Sequence, residues 1–182
     1  MKDKIALLMF FGAILLGPQT TKPQKPTDIS EQRIFSAEDE NVKSPVDLTK
    51  GALDVLAREK YVSEILKNQD MPPEKLPSSW FMASAIHLGG RNEVDLIVLG
   101  KCPLCGANVV PFWVLRPKGD GFETILFTGA LSITVQSRRS NGYRQIETAS
   151  VTMQKARIYR WRFDGVQYRT SDISRNTPDA TN

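Results

Sequence analysis

Residues 131–151, LSITVQSRRSNGYRQIETASV, contain the pattern that decides the fold. Apolar and polar residues alternate in both halves of this stretch, and Asn141-Gly142 lies between the halves. Asn-Gly favours a two-residue hairpin turn because both central residues of that turn need positive φ. The stretch therefore predicts two antiparallel β-strands, residues 131–136 and 143–151, joined by a tight turn.

The same period of two continues on both sides of this hairpin, from residue 80 to residue 170. Glycine-containing turn sequences separate the short alternating segments. Further strands are predicted at residues 80–88, 94–100, 111–116, 123–128, 156–163 and 166–170. Short strands joined by tight turns pair antiparallel, which predicts a meander of seven to eight strands in a curved sheet or a partly closed barrel.

One N-terminal amphipathic helix is predicted before the strands. Ser44, Pro45 and Asp47 are typical of a helix start, as N-cap, first helical residue and capping-box acid. Apolar residues then recur at helical spacing as far as Asn68, and two consecutive prolines soon afterwards prevent continuation. We expect this helix to pack on the meander, so the predicted fold class is α+β and mostly β.

Residues 1–17 have the form of an export signal. Lys2 and Lys4 precede an apolar run from residue 5 to residue 16, which is too short to span a bilayer comfortably. The segment predicts a signal peptide or an uncleaved N-terminal anchor that tethers the protein to a membrane. The predicted location is therefore periplasmic or secreted. A buried helix of a cytosolic protein is the alternative, and it is disfavoured because no amphipathic pattern follows.

Two polar segments flank the predicted domain. The chain of 182 residues is 41% hydrophobic and 24% charged, which suits one domain. Residues 18–43 are rich in proline and polar residues and are predicted to form a flexible linker. Residues 171–182 are predicted to be a disordered tail for the same reason. A single α+β domain is therefore expected at residues 44–170.

Residues 102–106, CPLCG, form the sharpest local motif. A Cys-x-x-Cys knuckle supplies half of a zinc site, which here would need His87 and a carboxylate, or a second copy of the chain. A redox-active pair usually opens a helix, whereas this pair falls between two predicted strands. The favoured interpretation is a loop in which Cys102 and Cys105 form a local disulfide, in an oxidising compartment, or stay as thiols.

The sequence predicts no catalytic residues, no metal ligands and no cofactor. The nucleophile elbow Gly-x-Ser-x-Gly and the Gly-rich phosphate loops are absent. His87 ends an apolar segment and is interpreted as a hydrogen-bonded structural residue, since a catalytic pair with a cysteine would require hydrogen-bond reach. The alternative function is a metal-binding or thiol-redox protein centred on Cys102 and Cys105.

Positive charge is concentrated towards the C-terminus. Nine basic and three acidic residues lie between positions 138 and 175, although the whole chain carries only +4. Arg160 and Arg162 share one face of a predicted strand, and Arg138 and Arg139 precede the Asn-Gly turn. These four arginines predict a partner-binding surface for an anionic partner. The alternative is a solvated sheet face whose charges discourage aggregation.

Residues 87–98, HLGGRNEVDLIV, resemble the loop and strand of FG-GAP/VCBS-type extracellular repeats, in which acidic side chains bind calcium. Only Asp95 keeps an acidic residue of that pattern, so the resemblance implies a shared turn and strand without calcium. Three ligand positions carry no carboxylate: His87, Gly89 and Arg91. Residues 140–143 and 159–168 are similar to the closing hairpin of many small secreted bacterial domains. Both resemblances imply a secreted β-domain of no specific activity.

The predicted function is therefore a secreted or periplasmic, non-catalytic binding module. Its rigid sheet and basic hairpins would contact a protein or an anionic envelope polymer, and an inhibitor of a hydrolase would be one such role. Nucleic acid is not an expected partner, because the excess charge of an exported chain is modest.

Overall fold

The computed structural model describes residues 31–90, 93–106, 109–152 and 155–176. Within these ranges the chain forms two α-helices, α1 (Lys50–Arg58) and α2 (Lys60–Asn68), and nine β-strands in two antiparallel sheets. The strands are β1 (Ile34–Ser36), β2 (Phe81–Ile86), β3 (Asp95–Gly100), β4 (Val110–Lys118), β5 (Gly121–Ala130), β6 (Ser132–Ser140), β7 (Tyr143–Thr152), β8 (Lys155–Phe163) and β9 (Tyr168–Asn176).

The two sheets follow the chain order. β2, β3, β4 and β5 form the first sheet, and β6, β7, β8 and β9 continue the meander in the second. Leu131 alone separates the end of β5 from the start of β6. β1 pairs with β6 and completes a five-stranded sheet. The antiparallel meander is confirmed, but the described strands number nine rather than seven to eight and divide into two sheets rather than one curved sheet or partly closed barrel.

The first sheet is buried on both faces, which explains the division into two sheets. Phe112 and Val114 of β4 lie in the core between the sheets, whereas Trp113 and Leu115 lie in the core beneath the helices. β3 contributes to both cores in the same alternating way. A sheet with two apolar faces needs a layer on each side. The helices cover one face, and the five-stranded sheet covers the other.

The Asn-Gly hairpin has the predicted geometry. Asn141 and Gly142 have φ values of 45° and 83°, and Ser140 of β6 pairs with Tyr143 of β7. Glycine adopts positive φ at little cost, and asparagine tolerates it better than most residues. The Asn141 amide also donates to the carbonyl of Phe163 at 2.9 Å, which ties the turn to β8.

The single N-terminal helix that the sequence predicts is not confirmed, because two short helices stand in its place. Glu59 separates α1 from α2 with an extended ψ of 132°. The predicted start is also wrong, since Thr49 is the N-cap and its hydroxyl accepts from the Ala52 N–H at 3.3 Å. Pro45 instead pairs with Ser84 in a β-bridge. Pairing with the edge strand β2 thus prevails over the local capping signal, which predicted that a helix begins at Pro45.

Residues 31–43, which the sequence assigns to the flexible linker, belong to the fold. Phe35 is completely buried between the sheets, and Val42 is also buried there. Two apolar side chains therefore dock a segment whose average composition is that of a linker. Residues 1–30, which include the predicted signal and the rest of the linker, lie outside the described residues.

The predicted disordered tail also begins as ordered structure. β9 continues to Asn176 and pairs with β8 through Ala156. Backbone hydrogen bonds hold an edge strand whatever the polarity of its side chains, so composition alone misses it. Residues 177–182 lie outside the described part of the chain.

Candidate functional site

The Cys-x-x-Cys motif lies in the loop between β3 and β4, and its cysteines form a disulfide with their Cα atoms 4.7 Å apart. Cys102 is exposed and Cys105 is half-buried. A zinc site requires thiolates, so the bonded sulfurs provide no metal ligand in this state.

The fold holds this loop through contacts other than the disulfide. The Leu104 side chain is fully buried beneath the helices, and Tyr61 of α2 donates its hydroxyl to the Leu104 carbonyl at 2.7 Å. Near the far end of the loop, the Gly106 N–H donates to the Val109 carbonyl at 2.8 Å. The path of the loop is therefore set mainly by burial and hydrogen bonding.

Removal of the disulfide is expected to cost little stability. Cys102→Ser/Cys105→Ser should lower the free energy of unfolding by at most about 2 kcal/mol, because closure of so short a ring removes little chain entropy. Urea unfolding followed by tryptophan fluorescence measures the difference. A loss above about 4 kcal/mol, typical of rings of 100 residues, would contradict this account.

A groove of about 400 Å³ opens beside the disulfide. Its lining includes Cys102, Cys105 and residues 36–39, which begin with the last residue of β1. The apolar side chains that line it come from the first sheet and from the connection between the sheets: Met82, Leu99, Val110 and Leu131. The groove thus opens between the two sheets at the point where the chain crosses from one to the other.

A smaller groove of about 160 Å³ adjoins the first, and Gly106 and Val109 line both. Tyr61 and Phe127 supply its aromatic wall. Phe127 stacks on Trp113 with ring centroids 5.3 Å apart, yet remains 42% exposed. We call the two together the disulfide groove. Contiguous exposed apolar side chains of this kind are typical of interaction sites, whereas scattered ones are not.

Two of the four predicted partner-binding arginines have partners inside the protein. Arg139 Nη1 donates to the carbonyls of Leu88 at 2.9 Å and Gly142 at 2.7 Å. Arg160 Nε lies 3.0 Å from Glu147 Oε1 on the neighbouring strand. Their charge is therefore partly used to hold a loop and the sheet.

Arg138 and Arg162 are exposed. Arg162 lies directly opposite Arg169 in the register of β8 and β9. Arg169 Nε is 3.3 Å from Asp164 Oδ2, which offsets part of the repulsion that like charges opposite one another produce. The structure thus does not gather the four predicted arginines into one unpaired basic surface.

Glu31 connects the N-terminal segment to the residue that follows β2 and to β7, a contact that the sequence did not predict. Its Oε1 accepts from the His87 backbone N–H at 2.6 Å, and its Oε2 lies 2.5 Å from Arg144 Nη1. Burial acts to raise the pKa of Glu31, but hydrogen bonds from His87 and Arg144 lower it overall. A lone glutamate in a polar segment carries no periodic signal, so only the fold reveals this contact.

A polar cluster occupies a different cavity, of about 590 Å³. The Arg116 guanidinium carbon lies 5.9 Å and 5.5 Å from the ring centroids of Tyr143 and Phe163. Arg116 forms an ion pair with Glu123, whose other oxygen is 2.7 Å from Lys118 Nζ. Hydrogen bonds from Lys118 and Arg116 lower the pKa of Glu123 against the effect of burial. The charges of this cluster are satisfied internally.

Asp95 lies near this cluster and is 1% exposed. Its Oδ2 accepts from the N–H groups of Leu88 at 3.1 Å and Gly89 at 3.4 Å, and so closes the loop before β3. Its Oδ1 has no hydrogen-bond partner among the described residues. Burial raises the pKa of Asp95, although these hydrogen bonds and the charge of Arg116 oppose the shift.

Comparisons with models of protein families, with curated proteins and with solved structures find no match to this chain. Within the described ranges, no group of three or more His, Cys, Asp and Glu side chains is placed to hold a metal ion. None of the described helices has the length and apolar character needed to cross a membrane.

Proposed function

We propose that this protein is an exported, non-catalytic binding module whose disulfide groove receives an extended segment of a protein partner. The observation that carries this proposal is that the two grooves share Gly106 and Val109 in their lining, with Val109 exposed where they meet and Phe127 exposed in the smaller groove. Export is inferred from the disulfide together with the predicted N-terminal signal. The resemblance to extracellular β-repeats also favours export.

The chemistry of the disulfide groove suits an apolar peptide segment. The half-buried side chains of Met82, Val110 and Leu131 would become buried on binding, which supplies the driving force. Charged residues on the groove lining, including Glu38, Asp39 and Lys101, provide polar contacts that orient a backbone. The disulfide and the anchored Leu104 keep one wall in place, so little conformational entropy is lost when the segment binds.

An anionic envelope polymer is the less favoured partner. It would require the four predicted arginines to act together, yet Arg139 and Arg160 already contact acceptors within the protein. Arg138 and Arg162 remain as candidates for such a contact. Substitutions by glutamate at the groove and at these two arginines distinguish the two possible binding sites.

The test is capture of a partner from envelope extract, followed by crosslinking and mass spectrometry. Val109→Glu introduces a carboxylate at a residue that lines both grooves, and Val166→Glu makes the same change at an exposed valine in the turn between β8 and β9. We expect wild type and Val166→Glu to capture the same protein. Val109→Glu should reduce capture at least about tenfold, since burying an unpaired charge costs several kcal/mol.

Arg138→Glu/Arg162→Glu supplies the opposing test, and this variant should capture the partner as wild type does. If Arg138→Glu/Arg162→Glu loses capture and Val109→Glu keeps it, the proposal that the partner binds the groove is wrong. The partner would then bind the basic surface. Equal capture by Val109→Glu and Val166→Glu would also count against the groove. Circular dichroism of each variant verifies that the fold is intact.

A further inference from the structure

We propose that the disulfide between Cys102 and Cys105 is reactive, and that it exchanges with a dithiol carried by the segment that the groove receives. The binding of that segment in the groove rests on the proposed function. The reactivity of the disulfide does not, so the two parts are tested separately below.

Access is the first support for this proposal. Both cysteines line the larger groove, so a peptide lying there passes beside the disulfide. Cys102 is exposed while Cys105 is half-buried, so we place the attack of an incoming thiolate at Cys102. Lys101 lines the same groove, is exposed, and its ammonium attracts a thiolate.

The second support is the weak coupling between the disulfide and the fold. A short ring stabilises the folded state little, and by reciprocity the folded state then stabilises the disulfide little against reduction. The burial of Leu104 and its hydrogen bond from Tyr61 remain after the disulfide opens. The two cysteines therefore stay close to each other. Opening and reclosure therefore need no unfolding.

The reaction is a two-step exchange that conserves atoms and electrons. A thiolate of the partner attacks Cys102 Sγ, the bond between the two cysteine sulfurs breaks, and Cys105 leaves as a thiolate. The second thiolate of the partner then attacks the partner sulfur of the mixed disulfide, and Cys102 leaves as a thiolate. The partner dithiol is oxidised to a disulfide, the protein disulfide is reduced, and the two thiol protons end on Cys102 and Cys105.

The reactivity is tested with dithiothreitol on the full chain, under native conditions and in denaturant, by alkylation and mass measurement. We expect the native rate to lie within about a hundredfold of the rate in the unfolded chain, with unchanged tryptophan fluorescence during reduction. A native rate more than about a hundredfold slower would overturn the proposal, because the disulfide would then react only after unfolding. Loss of native fluorescence on reduction would overturn it as well.

Binding of the substrate in the groove is tested with two dithiol peptides. One peptide has apolar residues beside its cysteines, and the other has serines in place of those apolar residues. For each protein variant, both peptide rates are divided by that variant's own rate with dithiothreitol. Wild type and Val166→Glu should favour the apolar peptide at least about tenfold, and Val109→Glu should lose that preference. Equal rates for both peptides in wild type would overturn the groove as the substrate site, even if dithiothreitol reacts rapidly.

Discussion

Trp113→Ala is expected to lower the free energy of unfolding by about 3–5 kcal/mol. Trp113 is completely buried in β4, beneath the helices. Its ring contacts Phe81 edge-on at 5.7 Å between centroids and stacks on Phe127 at 5.3 Å. Truncation leaves a cavity between two layers that cannot close without moving a helix, so both the lost burial and the cavity contribute. Urea unfolding followed by far-UV circular dichroism measures the change.

Trp113→Phe is the matched variant for this prediction. The indole Nε1 has no hydrogen-bond partner among the described residues, so phenylalanine removes volume without breaking a hydrogen bond. We expect it to lose less than half as much stability as alanine. Val166→Ala, at an exposed turn, should change stability by less than about 0.5 kcal/mol. A loss below about 1 kcal/mol for Trp113→Ala would contradict burial of β4 on both faces.

Asp95→Ala is expected to destabilise the protein by about 2–4 kcal/mol, since it leaves two backbone N–H groups without their acceptor. These N–H groups belong to Leu88, whose side chain is completely buried, and to Gly89. The loop before β3 loses the contact that closes it. Urea unfolding at neutral pH measures the loss, and a value within about 0.5 kcal/mol of wild type would contradict the role of Asp95.

Asp95→Asn separates the hydrogen bonds from the charge. The folded pKa of Asp95 is raised above its usual value of 3.8, so its contribution to stability is present below that value and is lost as the pH rises through the folded pKa. Asparagine does not titrate. The stability of Asp95→Asn relative to wild type should therefore increase from pH 3 to pH 7, as measured by urea unfolding along the series. A relative stability that falls with rising pH would contradict the direction of the shift.

The local signals of the sequence predict elements well where neighbouring residues decide the structure. The alternation around Asn141-Gly142 predicts a hairpin because turn geometry depends on two residues and side-chain direction on a period of two. The same signals fail where distant backbone competes for a segment. Pro45 lies in a favourable helix start, yet it pairs with Ser84 across the edge of β2.

The candidate site was only partly predictable. Cys102 and Cys105 are recognisable because their spacing permits a disulfide whatever the fold. Val109 and Phe127 carry no motif, since an exposed apolar residue in a sequence looks the same as a buried one. The sequence missed Val109 and Phe127, but it predicted a binding role for arginines that already have partners. Charge counts along the chain do not reveal that Glu147 lies beside Arg160.

The sequence by itself determined the antiparallel meander, the positions of most of its strands and the cysteine loop, because these depend on period, turn residues and short spacing. Tertiary structure alone decided that the strands divide into two sheets, that Phe35 docks a polar segment, and that Val109 lines two neighbouring grooves. These features arise from apolar faces that must be covered by whichever layer is available. That requirement acts between residues far apart in the chain, where local pattern carries no information.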